Sequence, residues 1–248
     1  MAVCKAGFLA VFILVQVLFA GAVLAEAEQV YRSQGNQTQL LELYTSQGCS
    51  SCPPADQWLS RWKQHPGLWS DVVPVAFHVD YWDWIGWQDP FASADYGRRQ
   101  RRYKKLGSVK SVYTPGFVID GNEWRGWFER EDLPAPNAKQ GVLTATFSNN
   151  RLAIEYLNES QPETSAGLIV HVALLGFDLK TQVQRGENTN RTLHEDFVVV
   201  WHRSSQSGSP WSFPLPDSDT LPTDQIGFAV WVNTRDSARP LQVLGGRL

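Results

Sequence analysis

The stretch LELYTSQGCSSCPPADQWL, Leu41 to Leu59, runs from an apolar strand through a polar turn into a helix, with two cysteines at the junction. Cys49 and Cys52, separated by two residues, admit three readings: a redox couple, half of a metal site, or a structural disulfide. A cysteine at a helix start lies near unpaired backbone N–H groups and the positive end of the helix dipole, which stabilise a thiolate. Only the thiolate attacks a disulfide. On the redox reading Cys49 is the exposed attacker and Cys52, further into the helix, resolves the mixed disulfide. Pro53 and Pro54 are tolerated there because the first helical N–H groups have no intrahelical partners.

Zinc in a structural site needs four ligands, and no second cysteine pair exists. His65, His78, His171, His194 and His202 form no tight pair at ligand spacing. Copper(I) held by Cys49, Cys52 and His78 suits soft ligands and stands as the metal alternative. A bridge closing so short a loop gains little chain entropy, which makes stapling the weakest reading.

The chain opens with Met1 and Lys5 and continues apolar from Ala6 to Leu24, broken only by Gln16. This pattern predicts a secretory signal peptide over residues 1–25, cut after Ala25 or Ala27. An uncleaved membrane anchor is the competing reading. Export predicts a periplasmic or secreted protein, with any membrane attachment made through an uncleaved leader. Cleavage removes Cys4, leaving one thiol pair in an oxidising compartment. The net charge of −3 offers no overall footprint for nucleic acid.

Residues 26–37 read as a polar, flexible lead-in. TQLLELYT (Thr38–Thr45) predicts a short buried strand, and the helix beginning near Cys49 ends around His65-Pro66-Gly67. DVVPVAFHVD (Asp71–Asp80) is apolar on both faces, as in a covered parallel sheet. FASADYGRRQRRYKKLG reads as a helix that stops at Gly107. VYTPGFVIDGNEWRGW reads as a strand, a turn at Asp120-Gly121 and a returning strand. Pro115 interrupts that strand, which requires either an edge position or a cis bond in a tight turn.

A proline-marked linker, EDLPAPNAKQG, then separates a region of a different pattern. LTATFSNNRLAIEYL alternates on either side of Asn149-Asn150, a hairpin signal. GLIVHVALLGFDL, TLHEDFVVVWHR and QIGFAVWVNT supply further strands without an intervening helix. The expected architecture is an α/β domain over residues 38–135 and a β-sandwich over residues 140–248.

Together, the strand, the helix-start cysteine pair and the later Thr-Pro hairpin resemble the thioredoxin superfamily. LELYTSQGCSSC looks like the strand, loop and C-x-x-C of glutaredoxin-type proteins, and VYTPGFVID like the superfamily's cis-proline loop. LELYTSQGCSSCPPAD, FHVDYWDWIGWQDPF, RRQRRY, VYTPGFVIDG and RGENTNRTLHEDFVVV resemble an exported bacterial family of unknown function with a thioredoxin-like fold. The resemblance implies a thioredoxin-like first domain in which Cys49 and Cys52 are the redox pair. It likewise implies that Thr114 precedes the cis proline, Pro115, and that this loop holds a substrate backbone.

Thioredoxins carry a carboxylate in the strand leading to the cysteines. Glu42 is one position out of step with it, and a one-residue shift reverses the face of a strand. Glu42 therefore reads as a sheet-edge or solvent residue. His78 and Asp80 share a face of an extended segment. His78 is a candidate acceptor for the Cys52 proton, or a hydrogen-bonded residue that anchors its loop.

Three further features carry two readings each. Trp82, Trp84, Trp87, Phe91, Trp124 and Trp127 form either a groove for unfolded polypeptide or core and domain contact. Arg98, Arg99, Arg101, Arg102, Lys104 and Lys105 form either a surface for an acidic partner or lipid, or a solvated helix face. The loop holding Arg185, Glu187, Asn188 and Arg191 is either a binding loop or a contact to the first domain.

The expectation is an exported thiol–disulfide oxidoreductase acting on protein or small-thiol substrates through Cys49, Cys52, Thr114, Pro115 and His78. It needs no organic cofactor, because the thiol pair stores the two electrons. Copper handling, or a redox-silent binding or adaptor role, is the alternative.

Overall fold

The computed structural model describes residues 28–33, 38–129, 131–158, 167–206 and 208–248. The expected signal peptide and its cleavage sites lie outside these residues. Among the described residues no helix is long and apolar enough to cross a membrane.

The first half follows the apolar pattern closely. Strands β1 (Gln29–Arg32) and β2 (Gln39–Thr45) precede helix α1 (Pro53–Ser60), strand β3 (Val72–His78) and helix α2 (Ala94–Lys105). Strands β4 (Gly116–Ile119) and β5 (Asn122–Trp124) then form a hairpin. Strands β2 and β3 are parallel and buried along their whole length, as expected of strands covered on both faces. The β4–β5 turn places Asp120 at φ 48° and Gly121 at φ 81°, the left-handed pair that a tight hairpin requires.

The two helices cover opposite faces of the sheet. Trp58 of α1 packs on Phe117, which pairs with Leu43 and so shares its face. Arg99 of α2 reaches Glu42, which points the other way by strand alternation. Glu42 is thus off the α1 face, but the expectation of an edge or solvent position is corrected. Glu42 is fully buried and bound by Arg99, Tyr44 and Tyr103.

The second half supplies β6 (Val142–Ser148), β7 (Arg151–Leu157), β8 (Leu168–Gly176), β9 (Leu179–Gln182) and β10 (Thr192–Glu195). It ends with β11 (Val198–Ser205), β12 (Trp211–Pro214), β13 (Ile226–Thr234) and β14 (Pro240–Arg247). The result is a β-rich molecule with three sheets among the described residues. An eight-stranded sheet runs β14-β13-β8-β11-β3-β2-β4-β5, a four-stranded sheet runs β1-β6-β7-β12, and β9 pairs with β10.

The boundary expected between residues 135 and 140 divides the chain but not the large sheet, because β11 joins β3 in parallel. A sandwich is present, yet one of its layers is this shared sheet. Val170, Val172, Val230 and Val232 face Leu143, Ala145, Leu152 and Ile154 of the smaller sheet in one core. Ala173, Leu175, Ala229 and Trp231 turn the other way into the core of the first half. The lead-in expected to be flexible contributes β1, which pairs with β6 and packs Tyr31 on Phe147 and Phe228.

Candidate functional site

Strand β2 ends at Thr45, and a tight turn carries the chain to the cysteines. The Cys49 amide donates to Ser46 O and the Cys52 amide to Cys49 O. Helix α1 begins at Pro53, with Cys52 as its N-cap and no side-chain cap hydrogen bond. Cys49 therefore stands one turn before the helix rather than within it. Cys49 and Cys52 are joined by a disulfide, their Cα atoms 5.4 Å apart. The turn has room only for glycine at position 48, where a Cβ would meet Trp82 Cβ at 2.9 Å.

The expectation that Cys49 is exposed is corrected: it is 1% accessible and Cys52 is closed off completely. The cover comes from two segments. One is the 3₁₀ helix Asp80–Ile85, whose Trp82 lies against Gly48 and donates from Nε1 to Thr114 Oγ1 at 2.7 Å. Trp82 thereby joins the cysteine turn to the Thr114-Pro115 loop, and that peptide bond is cis, as the resemblance implies and the second of the two readings of Pro115 allows. The other is the loop at residues 183–191. Asn188 Nδ2 donates to Gln47 O and Cys49 O, and Glu187 accepts from the exposed Ser50 amide. Of the two readings of this loop, the contact to the first half is the one observed.

Below the turn lies a buried set of ionisable groups. His78 Nδ1 is 2.7 Å from Asp89 Oδ2, and both side chains are sealed from solvent. Asp89 also accepts from the amides of Gln47 and Phe91. His78 thus anchors its loop through Asp89, not through Asp80, because the strand ends at His78 and alternation stops there. Gln47 is the hub: Nε2 donates to Glu195 Oε2 at 2.7 Å and to Thr181, while Oε1 accepts from Trp87. Asp56, one turn beyond Cys52 and buried, completes the set.

The electrostatics favour protons on this cluster. Burial opposes the charged form of His78, but the Asp89 charge and hydrogen bond, helped by Glu195 and Asp56, push its pKa up to about 9. Burial likewise pushes Asp89 up, yet His78 and the two amides hold it below the ordinary carboxylate range. Asp56 and Glu195 are both raised, chiefly by burial, with His78 pulling the other way.

A raised imidazole pKa stabilises the fold fully below its unfolded value near 6.5, and that contribution is lost as pH rises through about 9. Thermal unfolding between pH 6 and 9.5 is therefore expected to show stability falling as pH rises, with Glu195, raised by burial to about 8, adding in the same direction. His78→Asn should make that slope shallower; an equally steep slope in the variant would assign it to Glu195.

His78, the cysteines and the Thr114-Pro115 loop therefore meet at one end of the sheet. Among the described residues no three His, Cys, Asp or Glu side chains are placed to hold a metal ion. Of the aromatic residues, Trp58, Trp62, Trp124 and Trp127 pack on the core, whereas Trp84 is 82% exposed. Gln47, Asp56, Asp89, Asn188 and Glu195 were not visible as site residues from spacing. Their sequence signal was the family-like stretches that contain them: LELYTSQGCSSCPPAD holds Gln47 and Asp56, FHVDYWDWIGWQDPF holds Asp89, and RGENTNRTLHEDFVVV holds Asn188 and Glu195.

Residues 40–233 match the model of a family described as protein of unknown function (DUF1223). The chain belongs to that family. Within it, the match spans the cysteine turn, the Thr114-Pro115 loop and the covering Asn188 loop alike. The fold is similar to a crystal structure of an Agrobacterium tumefaciens protein, with 27% identity and a TM-score of 0.57, covering 85% of this chain and 95% of that one. HBP35 of Porphyromonas gingivalis matches with 13% identity and a TM-score of 0.49, covering 87% of this chain and 76% of the other. No curated protein matches the sequence.

Proposed function

We propose that this DUF1223 chain is an exported thiol–disulfide oxidoreductase whose Cys49–Cys52 couple works on a thioredoxin-like scaffold. The observation that carries this reading is one placement. The disulfide lies between the end of β2 and the start of α1, linked through Trp82 to the cis Thr114-Pro115 loop. The strand order β3-β2-β4-β5, with β4 and β5 antiparallel, adds support.

In the reducing direction the Cys49 thiolate attacks a substrate disulfide, forming a mixed disulfide and expelling one substrate thiolate. Cys52 loses its proton and attacks Cys49 Sγ, which releases the second substrate thiolate and leaves the Cys49–Cys52 bond. Two electrons pass from the dithiol to the substrate. Asp56, raised by burial to about 6, is suited to accept the Cys52 proton, whereas His78, held up to about 9 by Asp89, already carries its proton at neutral pH and serves to anchor the set. Thr114 and Pro115 orient the substrate backbone. The oxidising direction is the reverse, and Ser50-Ser51 does not decide between them.

Equilibration of the leaderless protein with glutathione redox buffers tests the reading and its direction. A couple near −270 mV fits a reductant and one near −120 mV an oxidant. Cys49→Ser should abolish reduction of a model disulfide, a loss of about 100-fold or more. Equal inertness of wild type and variant would overturn the enzyme reading.

A further inference from the structure

On the face of the sheet away from the cysteines, the basic run of α2 borders a cavity of about 460 Å³. The sequence alone favours a solvated helix face for that run, but the structure divides its arginines. Arg99 is consumed by Glu42 inside the core. Arg98 is paired with Asp95 at the rim. Arg102 faces the cavity and donates to a backbone carbonyl, that of Arg235, at 2.6 Å. Across from it Arg203 of β11 donates to the carbonyl of His202 and lies over the Trp201 ring. Among the described residues neither Arg102 nor Arg203 has a carboxylate within ion-pair distance.

The remaining wall holds His171 and His202, with Arg99 and the Asp95–Arg98 pair beside them. His171 and His202 stack at 5.6 Å with 10° between their planes, and Trp231 stacks on both. Burial, then the Arg99 charge, lowers both imidazoles, His202 to about 3, so neither adds a cation at neutral pH. The cavity thus combines two guanidinium groups without a carboxylate partner among the described residues, a flat polar floor and a size ordinary for small-molecule sites.

We propose that this cavity between α2 and β11 binds a small molecule carrying a phosphoryl or carboxylate group, held by Arg102 and Arg203 above the His171–His202 stack. Guanidinium groups match such oxyanions in charge and in planar, two-point geometry. A carboxylate-rich cavity wall would repel them, and among the described residues Asp95, already paired with Arg98, is the one carboxylate that lines it. The site is separate from the thiol pair, so its occupancy does not depend on the redox reading.

Calorimetric titration of the oxidised protein with inorganic phosphate, glycerol 3-phosphate and citrate tests it at low salt. At least one should bind saturably at one site, and binding should weaken as salt rises. The double variant Arg102→Gln/Arg203→Gln should weaken it by about tenfold or more. Unchanged circular dichroism and an unchanged Cys49–Cys52 reduction potential establish that the variant is folded. Sedimentation with phosphatidylcholine vesicles, with and without phosphatidylglycerol, separates the sources of the group. Co-sedimentation that needs the anionic lipid and is lost in the variant assigns it to a lipid headgroup; soluble binding alone assigns it to a free molecule. No binding to any of these probes, or equal binding by the folded variant, overturns the proposal.

Discussion

Arg99→Met is expected to lower the unfolding free energy by about 3–5 kcal/mol, the range for removing one partner of a buried ion pair. Arg99 passes from α2 into the core, where Nε donates to Glu42 Oε2 at 2.8 Å and Nη2 to the Tyr103 hydroxyl at 2.5 Å. The rings of Phe77, Tyr103 and Trp231 surround the guanidinium at 5.0 to 5.2 Å. Glu42 also accepts from Tyr103 at 2.6 Å and Tyr44 at 3.0 Å, and burial keeps both phenols protonated as donors. Methionine fills much of the volume but leaves a sealed carboxylate with two phenol donors and no countercharge. Glu42 must then take a proton or admit water.

The double variant Glu42→Leu/Arg99→Met removes both charges and should recover most of the loss. Urea midpoints at constant m-value measure both steps. A single variant within about 1 kcal/mol of wild type would show that the network carries little of the stability.

Glu42 also marks where the sequence stopped being informative. Its face was readable from parity, because alternation is a local property of a strand. Its burial was not, because Arg99 stands 57 positions away on a helix whose six cations look like a solvated surface. The same division holds elsewhere. Asp120-Gly121 and Asn149-Asn150 announced their hairpins because turns write their backbone needs into adjacent residues. The Thr114-Pro115 loop was found the same way, as a proline interrupting a strand.

Strand β11 gave no sign that it would extend the sheet of the first half. Its link to β3 is a tertiary choice, anchored by the Ala76 amide donating to Phe197 O, with no local pattern behind it. Everything that depends on this link was hidden too. Glu195 reaches Gln47 across 148 positions, and β10, which carries it, lies against α1. An exposed Cys49 was the natural expectation for a helix-start thiol whose cover comes from so far along the chain.

That cover yields the second large effect: Asn188→Ala is expected to speed reduction of the Cys49–Cys52 bond by added thiol by about 10- to 100-fold. Asn188 is fully buried, and its Nδ2 donates to Gln47 O at 2.9 Å and to Cys49 O at 3.0 Å. Its own Oδ1 accepts from Arg191 at 2.7 Å, which fixes the loop. Alanine deletes both hydrogen bonds, leaving the buried Gln47 carbonyl unmet and Cys49 O with only the Cys52 amide, a cost of about 1–3 kcal/mol to the closed arrangement. The open form retrieves those hydrogen bonds from water, so the opening equilibrium shifts by the same amount. When a reagent reacts only with the open form, its rate follows that equilibrium. Stopped-flow reduction by glutathione measures the change.

Size dependence separates gating from altered chemistry. A gated bond should be accelerated toward small and large thiols alike, with the reduction potential moving far less than the rate. Glu187→Gln, which weakens one exposed contact to the Ser50 amide, should change the rate by less than about threefold. An Asn188→Ala protein that stays folded and reacts at the wild-type rate would show that Cys49 is reached by a route this loop does not control.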